Sequence, residues 1–251
     1  MTSLKRVVVG TARAAGIDLV RVRGVRHAIG RRARLMTALG IDVVLDVGAN
    51  RGQFGLEIRR AGYRGRIISI EPQAAPYEEL VRLTAKDGRW TVIRSAVGPR
   101  AGSATIHVAA NEGASSSLLP MLDMHARAAP EARYVGDEQV DVSTLDDLVG
   151  AYLQALDSVF MKVDVQGYEL QVLEGGREAL RRSLLAQLEM SLVPLYETAP
   201  TYREVLGFMH ERGFQLVGLE PAFTAPTGQL LQADGLFAAR DAALSLQAAR
   251  W

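Results

Sequence analysis

Short apolar runs alternate with longer amphipathic segments along most of the chain, a pattern typical of an α/β protein. The first run starts at Val43, brings Asp46 to its carboxyl end and leads through glycines into a helix predicted over 51–61. The same order returns at Ile67–Ile70, with a helix predicted over 76–86, and a third run covers Trp90–Ser95. Because such runs are typical of strands buried on both faces, they predict a parallel sheet covered by helices on both sides.

The regular alternation stops after residue 98. Gly102–Val108 and Gln139–Val142 read as short strands with one buried face. The long segment between them, 111–137, is expected to be irregular, and we interpret it as an insert that faces the substrate. A mobile surface loop is the alternative interpretation of the same segment.

The last third of the chain supplies four further strands. One apolar run of the buried type starts at Val159 and ends in Asp164, and a second covers Leu184–Met190. Thr144 is predicted to cap a short helix that precedes both runs. Phe214–Glu220 and Leu230–Ala239 are separated by a turn that contains proline and glycine. These two strands are therefore predicted to pair as an antiparallel hairpin that completes the sheet.

Composition narrows the class of protein. The 251 residues are 48% hydrophobic and carry a formal net charge of +1, which suits one globular α/β unit and argues against a nucleic-acid partner. There is no cysteine, and no apolar run approaches the roughly 20 residues of a membrane span. A cytoplasmic protein is the expectation that fits these features.

Residues 1–40 form a basic N-terminal extension to a domain that covers 41–251. The extension holds nine Lys or Arg residues and one acid, Asp18, with apolar residues at helical spacing. Such a segment can lie on an anionic membrane surface. Packing on the acidic remainder of the chain, or on a second copy in a homodimer, is the alternative.

Four carboxylates lie where predicted strands end, namely Asp46, Glu71, Asp164 and Glu189. The carboxyl ends of parallel strands meet at one edge of a sheet, and ligands bind there in open α/β folds. Four acids along that edge make an anionic trough, which favours a cationic ligand or a metal ion.

The first glycine turn discriminates between cofactors. Gly48 and Gly52 are spaced G-x-x-x-G, which differs from the G-x-G-x-x-G of dinucleotide-binding proteins. The carboxylate of Asp46 would repel a pyrophosphate, whereas S-adenosylmethionine carries an ammonium and a sulfonium and no phosphate. Glu71 is placed to accept hydrogen bonds from ribose hydroxyls, and the small residues Ser95 and Ala96 suit an adenine ring. A turn-forming aspartate remains the alternative for Asp46.

Five motifs together resemble the FkbM-type family of S-adenosylmethionine-dependent O-methyltransferases. They are Asp46-Val-Gly-Ala-Asn-Arg-Gly52, Glu71–Pro72, Ser115–Leu118, Lys162-Val-Asp-Val-Gln-Gly-Tyr-Glu169 and Ala233–Phe237. They follow the order of the family between about residues 41 and 240. One departure is Gln166, where the family often has glutamate.

The resemblance implies a Rossmann-like class I methyltransferase fold, with a mostly parallel seven-stranded sheet and an antiparallel last strand. It also implies methyl transfer to a hydroxyl, commonly on a sugar, glycolipid or polyketide. The predicted cofactor-binding residues are Asp46, Gly48, Asn50, Gly52, Gln53, Phe54, Glu71, Pro72, Ser95, Ala96 and Asp164.

The predicted catalytic residues are Asp164, Glu189 and Lys162. An alcohol is a weak nucleophile, so Asp164 or Glu189 is expected to act as general base, with Lys162 orienting one of them or binding substrate. His125 is an outside candidate for the base, although a surface histidine is the simpler interpretation. A Mg²⁺ ion on Asp164 and Glu189 would need a third ligand that the sequence does not identify.

Two other functions compete with the methyltransferase. A nicotinamide-dependent oxidoreductase uses a similar sheet, but the glycine spacing and Asp46 argue against it. A binding module that has kept the cofactor pocket and lost the chemistry is compatible with Gln166.

Overall fold

The computed structural model describes residues 8, 11–12, 14–17, 24 and 27–248. Most of the basic segment before His27 therefore lies outside the described residues, and with it most of the predicted membrane contact. Helix labels begin at the first helix whose whole length is described. None of the described helices is long and apolar enough to cross a membrane.

A seven-stranded sheet organises the molecule, in the order β3-β2-β1-β7-β8-β10-β9. Five neighbouring strands run parallel, and β10 is antiparallel to both β8 and β9. This arrangement confirms the predicted class I methyltransferase sheet with its antiparallel last strand. The strands are β1 (Val43–Val47), β2 (Arg66–Ile70), β3 (Trp90–Ile93), β7 (Val159–Val163), β8 (Ser183–Ser191), β9 (Phe214–Thr224) and β10 (Leu230–Ala239).

A second, three-stranded sheet packs beside the first in the order β4-β6-β5. Its strands are β4 (Ala96–Val97), β5 (Gly102–Ala109) and β6 (Tyr134–Ser143). The predicted strand pair is present, but β6 begins five residues before the predicted start. The reason is that residues 134–138 pair with β5, a long-range contact that their own sequence pattern does not reveal.

Helices cover both faces of the large sheet and build two hydrophobic cores. On one face Met36, Ile58 and Leu80 pack on Val44 and Phe160. Val43, Leu45 and Val47, at alternate positions of β1, point to the opposite face and pack in the second core. The helices are α1 (Ala28–Ala38), α2 (Gln53–Ala61), α3 (Ala74–Thr84), α4 (Asp123–Ala128), α5 (Leu145–Val149), α6 (Glu169–Gly175), α7 (Arg177–Arg181), α8 (Tyr202–Glu211) and α9 (Arg240–Ala248).

Helix α1, which the sequence assigned to the N-terminal extension, packs against the core through a buried arginine. Arg32 is 5% exposed and donates to Gln187 Oε1 at 2.8 Å and to Glu220 Oε2 at 3.2 Å, and it also pairs with Glu57 on α2. Arg31 adds a second ion pair to Glu220 at 3.0 Å. A buried ion network of this kind fixes α1 to the sheet.

The segment 111–137 is more ordered than expected. It contains α4, a 3₁₀ turn at Pro130–Ala132 and the first residues of β6. The expectation of an irregular insert holds for 111–122, which form turns and isolated bridges, and is wrong for 123–137. There, Tyr134 and neighbouring apolar side chains pack on Tyr196 and Leu231 in a small core of their own.

Candidate active site

A cavity of about 320 Å³ lies at the carboxyl ends of β1, β2 and β7. This volume falls within the range of small-molecule sites, and the position is the expected ligand edge of an open α/β sheet. Ten of the predicted site residues line it: Gly48, Asn50, Gln53, Phe54, Glu71, Pro72, Ser95, Ala96, Lys162 and Asp164.

The turn after β1 brings the backbone close to the strand beside it. Gly48 has φ of 77°, and a Cβ on it would lie 1.9 Å from the carbonyl oxygen of Asp164. Only glycine fits there. Asn50, with φ of 46°, lines the cavity, and its buried Oδ1 has no hydrogen-bond partner among the described residues. A donor on a bound molecule would satisfy this oxygen.

Glu71 is buried at the end of β2 and holds the adjoining loops. Its carboxylate accepts hydrogen bonds from the backbone N–H of Asn50 at 2.8 Å and of Gln73 at 2.9 Å. Burial raises the pKa of Glu71 to about 7, and the two backbone donors oppose that rise. The carboxyl of Glu71 thus lines the cavity with a backbone donor on each of its two oxygens.

Asp46 lies behind the cavity and does not line it. The carboxyl is fully buried, accepts a hydrogen bond from Ser69 Oγ at 3.2 Å and lies 3.5 Å from Lys162 Nζ. Burial raises the pKa of Asp46, against the effect of Lys162. The reason for this placement is that Asp46 is the fourth residue of β1 and points to the face covered by α2. Gly52 does not line the cavity either, because Leu80 and Leu83 lie against it.

Lys162 and Asp164 form an ion pair at one end of the cavity. Lys162 Nζ lies 3.4 Å from Asp164 Oδ2 and 5.4 Å from the centre of the Phe54 ring. Burial lowers the pKa of Lys162, but the carboxylates of Asp164 and Asp46 outweigh it and the net direction is upward. The ammonium therefore stays charged, and Asp164, one-third exposed, presents a carboxylate to the cavity.

Glu189 lies one strand further along and reaches the cavity only through Gln166. Its Oε2 accepts hydrogen bonds from the side-chain amides of Gln166 and Gln232, both at 2.7 Å. Burial raises the pKa of Glu189, and the carboxylates of Asp164 and Glu169 raise it further.

The beginning of the 111–137 segment covers the cavity. Gly113, Ser116 and Ser117 line it, and Ser117 Oγ donates to the backbone carbonyl of Gln166 at 2.7 Å. Ser116 Oγ donates to the side chain of Gln73 at 3.0 Å. This part of the segment therefore forms one wall of the cavity.

His125 is buried, so the interpretation of it as a surface histidine is wrong. Its side chain is 3% exposed and packs against the rings of Tyr196 and Phe223. Burial lowers the pKa of His125. The residue does not line the cavity, so its geometry gives no support to a role as base.

Sequence reasoning did not assign roles to several residues that shape the site. Gln73, Ser116 and Gln166 line the cavity, and Tyr196 contacts it through Gln166. The motif Ser115–Leu118 was the sequence feature that could have identified Ser116 and Ser117 as cavity residues. No local pattern marks Tyr196, because it reaches the site from the loop after β8.

Metal ligands are not grouped in the described part of the chain. There, no set of three or more His, Cys, Asp or Glu side chains is arranged to hold a metal ion. Asp164 and Glu189 are joined by the amide of Gln166, which stands where a shared cation would have to lie.

Residues 46–216 match the family described as Methyltransferase FkbM domain. The chain is 25% identical over 185 residues to the 2-O-methyltransferase NoeI of Sinorhizobium fredii (strain NBRC 101917 / NGR234), covering 71% of this chain and 74% of that protein. It is 27% identical over 153 residues to the methyltransferase sdnD of Sordaria araneosa, covering 53% of this chain and 59% of that protein.

Among solved structures, the chain is similar to fibrillarin of Aeropyrum pernix in complex with S-adenosyl-L-methionine. The two are 12% identical, the TM-score is 0.43, and the alignment covers 82% of this chain and 74% of the other. A likeness this distant carries no information about the substrate.

Proposed function

The chain belongs to the FkbM methyltransferase family, and from that premise we propose that it transfers the methyl group of S-adenosylmethionine to a hydroxyl of a sugar, on a glycolipid or another glycoconjugate. The observation that carries the proposal is the position of Asp164. Its carboxylate lies at the end of the cavity beside Lys162, opposite the Glu71 end.

The cavity residues fit the methyl donor. Glu71 is placed to accept from the ribose hydroxyls, and the buried Oδ1 of Asn50 can accept from the ammonium of the donor. The small residues Ser95 and Ala96 leave room for the adenine ring. When bound, S-adenosylmethionine supplies a methyl group on a sulfonium, which is activated for attack by oxygen.

Asp164 is the base in this proposal. The hydroxyl oxygen of the acceptor forms a new bond to the methyl carbon as the carbon–sulfur bond breaks, and the hydroxyl proton passes to the carboxylate of Asp164. Lys162, held between Asp164 and Asp46, keeps that carboxylate in place. Fixing the two reacting atoms in line accounts for much of the rate in such a reaction.

One observation supports oxygen as the receiving atom, and a second supports an acceptor with several hydroxyl groups, such as a sugar. The relative from Sinorhizobium fredii is named a 2-O-methyltransferase, which supports oxygen as the receiving atom. Beyond Asp164 the sheet presents the side chains of Glu189, Gln232 and Asp234 side by side. Carboxylates and amides pair readily with several hydroxyl groups of one molecule.

The test is a transfer assay with methyl-labelled S-adenosylmethionine and a panel of neutral glycans, glycolipid head groups and polyketide alcohols. The proposal predicts label in a glycan, attached as a base-stable methyl ether that mass spectrometry assigns to one hydroxyl. Label on nitrogen or carbon, or on a polyketide alone, would contradict it. Binding of the donor with no transfer to any acceptor would favour a binding module.

A further inference from the structure

The side-chain amide of Gln166 joins two carboxylates of the site. Its Nε2 donates to Asp164 Oδ1 at 2.9 Å and to Glu189 Oε2 at 2.7 Å. A primary amide has two N–H donors, and both are used here. The side chain is therefore bound to the protein on both sides and has no donor left for a ligand.

The other end of the amide is fixed as well. The hydroxyl of Tyr196, a residue only 1% exposed, donates to Gln166 Oε1 at 2.7 Å. Because Oε1 faces a donor and Nε2 faces two acceptors, the partners determine which way the amide points.

The backbone of Gln166 is held in an uncommon conformation. Its φ is 57°, in the left-handed region that residues other than glycine rarely adopt. The carbonyl accepts from Ser117 Oγ at 2.7 Å, and Glu169 Oε1 accepts from the N–H groups of Val165 and Gly167 on either side. Several independent hydrogen bonds thus keep the amide between the two acids.

Acids outnumber bases around this bridge. Five acids and one base come together from several elements: Lys162 from β7, Asp164 from the turn after β7, Glu169 from α6, Glu189 from β8, Asp234 from β10 and Asp46 from β1. The phenol of Tyr196 completes the set of titratable groups. An additional negative charge at position 166 would meet repulsion from most sides.

We infer that Gln166 is a positioning residue, whose amide holds Asp164 and Glu189 at a fixed separation and confines the reaction proton to Asp164. The inference rests on the proposed function, since it assumes that Asp164 receives a proton. An amide neither gains nor loses a proton near neutral pH, so it cannot pass one from Asp164 to Glu189. A carboxyl group in its place both donates and accepts, and would link the two acids into a proton-sharing chain.

The first experiment needs no ligand. Thermal unfolding of the full chain is followed from pH 5 to pH 9 for the wild type, Gln166→Glu and Gln139→Glu, the last being the same charge change at an exposed position. A desolvated carboxyl at position 166 has a raised pKa, so it contributes stability at low pH that is lost as the pH rises. As the pH rises, the unfolding midpoint of Gln166→Glu should fall below that of the wild type, by about 3–5 °C for each unit by which the pKa of the new carboxyl is raised.

The second experiment uses methyl transfer. Gln166→Glu should lose about tenfold or more in kcat at neutral pH, with a changed pH profile and a donor KM within about twofold of the wild type. Tyr196→Phe keeps the amide of Gln166 but removes the hydrogen bond to its Oε1. This variant should lower kcat by less than Gln166→Glu does, and its pH profile should keep the wild-type form.

The outcomes separate this inference from the proposed function. If Gln166→Glu behaves like Gln139→Glu in both experiments, or fails to fold at pH 5 as well as at pH 9, the bridge is not a positioning device. If the widening gap in unfolding midpoints is seen but the wild type transfers no methyl group, the bridge between the acids stands and the proposed function fails.

Discussion

The proposed chemistry depends most on Asp164, which both lines the cavity and contacts the ammonium of Lys162. Glu189 also lies at this edge of the sheet, but it is set back behind Gln166 and does not line the cavity. Proximity to the reacting oxygen comes first for a general base, and its pKa comes second. Asp164 is therefore assigned to proton transfer and Glu189 to the support of Gln166.

Asp164→Asn should lower kcat for methyl transfer by about 100-fold, because the amide keeps the size of the side chain but cannot take the proton. Affinity for S-adenosylmethionine should stay within about threefold, as measured by calorimetry. Asp141→Asn, at an exposed position, is the control. A kcat for Asp164→Asn that matches this control would remove Asp164 from the chemistry.

Glu71 should make donor binding depend on pH. Burial raises its pKa to about 7 in the ligand-free protein, and only the ionised carboxylate accepts from both ribose hydroxyls. Below pH 7 each pH unit should weaken the affinity by about tenfold, since protonation competes with binding. The same raised pKa means that Glu71 stabilises the fold at low pH and that this contribution is lost as the pH rises toward 7.

Calorimetric titrations between pH 5 and pH 9 test this dependence. Glu71→Gln should bind the donor weakly and with a flat pH profile, whereas Glu78→Gln, on the exposed face of α3, should keep the slope of the wild type. A wild-type affinity that does not change across this range would show that Glu71 does not contact the donor.

Helix α1 was predicted as part of an N-terminal extension, but in the structure it packs on the methyltransferase sheet. Its sequence is basic and amphipathic, features that also occur in helices on membrane surfaces. In the structure Arg32 is buried between Glu57 and Glu220, and its guanidinium lies 5.2 Å from the ring of Phe54, a cavity residue. Helix α1 therefore supports the wall of the site from behind.

Arg32→Ala should lower the free energy of unfolding by about 3 kcal/mol or more, because it leaves Glu220 and Gln187 with fewer partners in a buried setting. Arg34→Ala, at an exposed position on the same helix, should change it by no more than about 0.5 kcal/mol. Urea unfolding of both variants measures the difference. Equal stabilities would mean that the network around Arg32 is not what fixes α1.

For the molecule as a whole, the sequence predicted the large sheet and its ligand edge because these follow from local patterns. Apolar runs mark buried strands, and the turn between β9 and β10 marks a hairpin. The inward direction of Asp46, the burial of Arg32 and the bridge of Gln166 depend on which elements pack together. Such contacts join residues far apart in the chain, so no local pattern carries them. Of the second sheet, the sequence predicted β5 and β6 but not β4. Strand β4 is only two residues long, which is too short to show a pattern.

The most direct test of the account is calorimetric titration of the full chain with S-adenosylmethionine, its demethylated product and NAD in parallel. The account predicts micromolar binding of the first two, loss of that binding in Glu71→Ala, and no binding of NAD. Binding of NAD alone would contradict it, and so would S-adenosylmethionine affinity that is unchanged in Glu71→Ala.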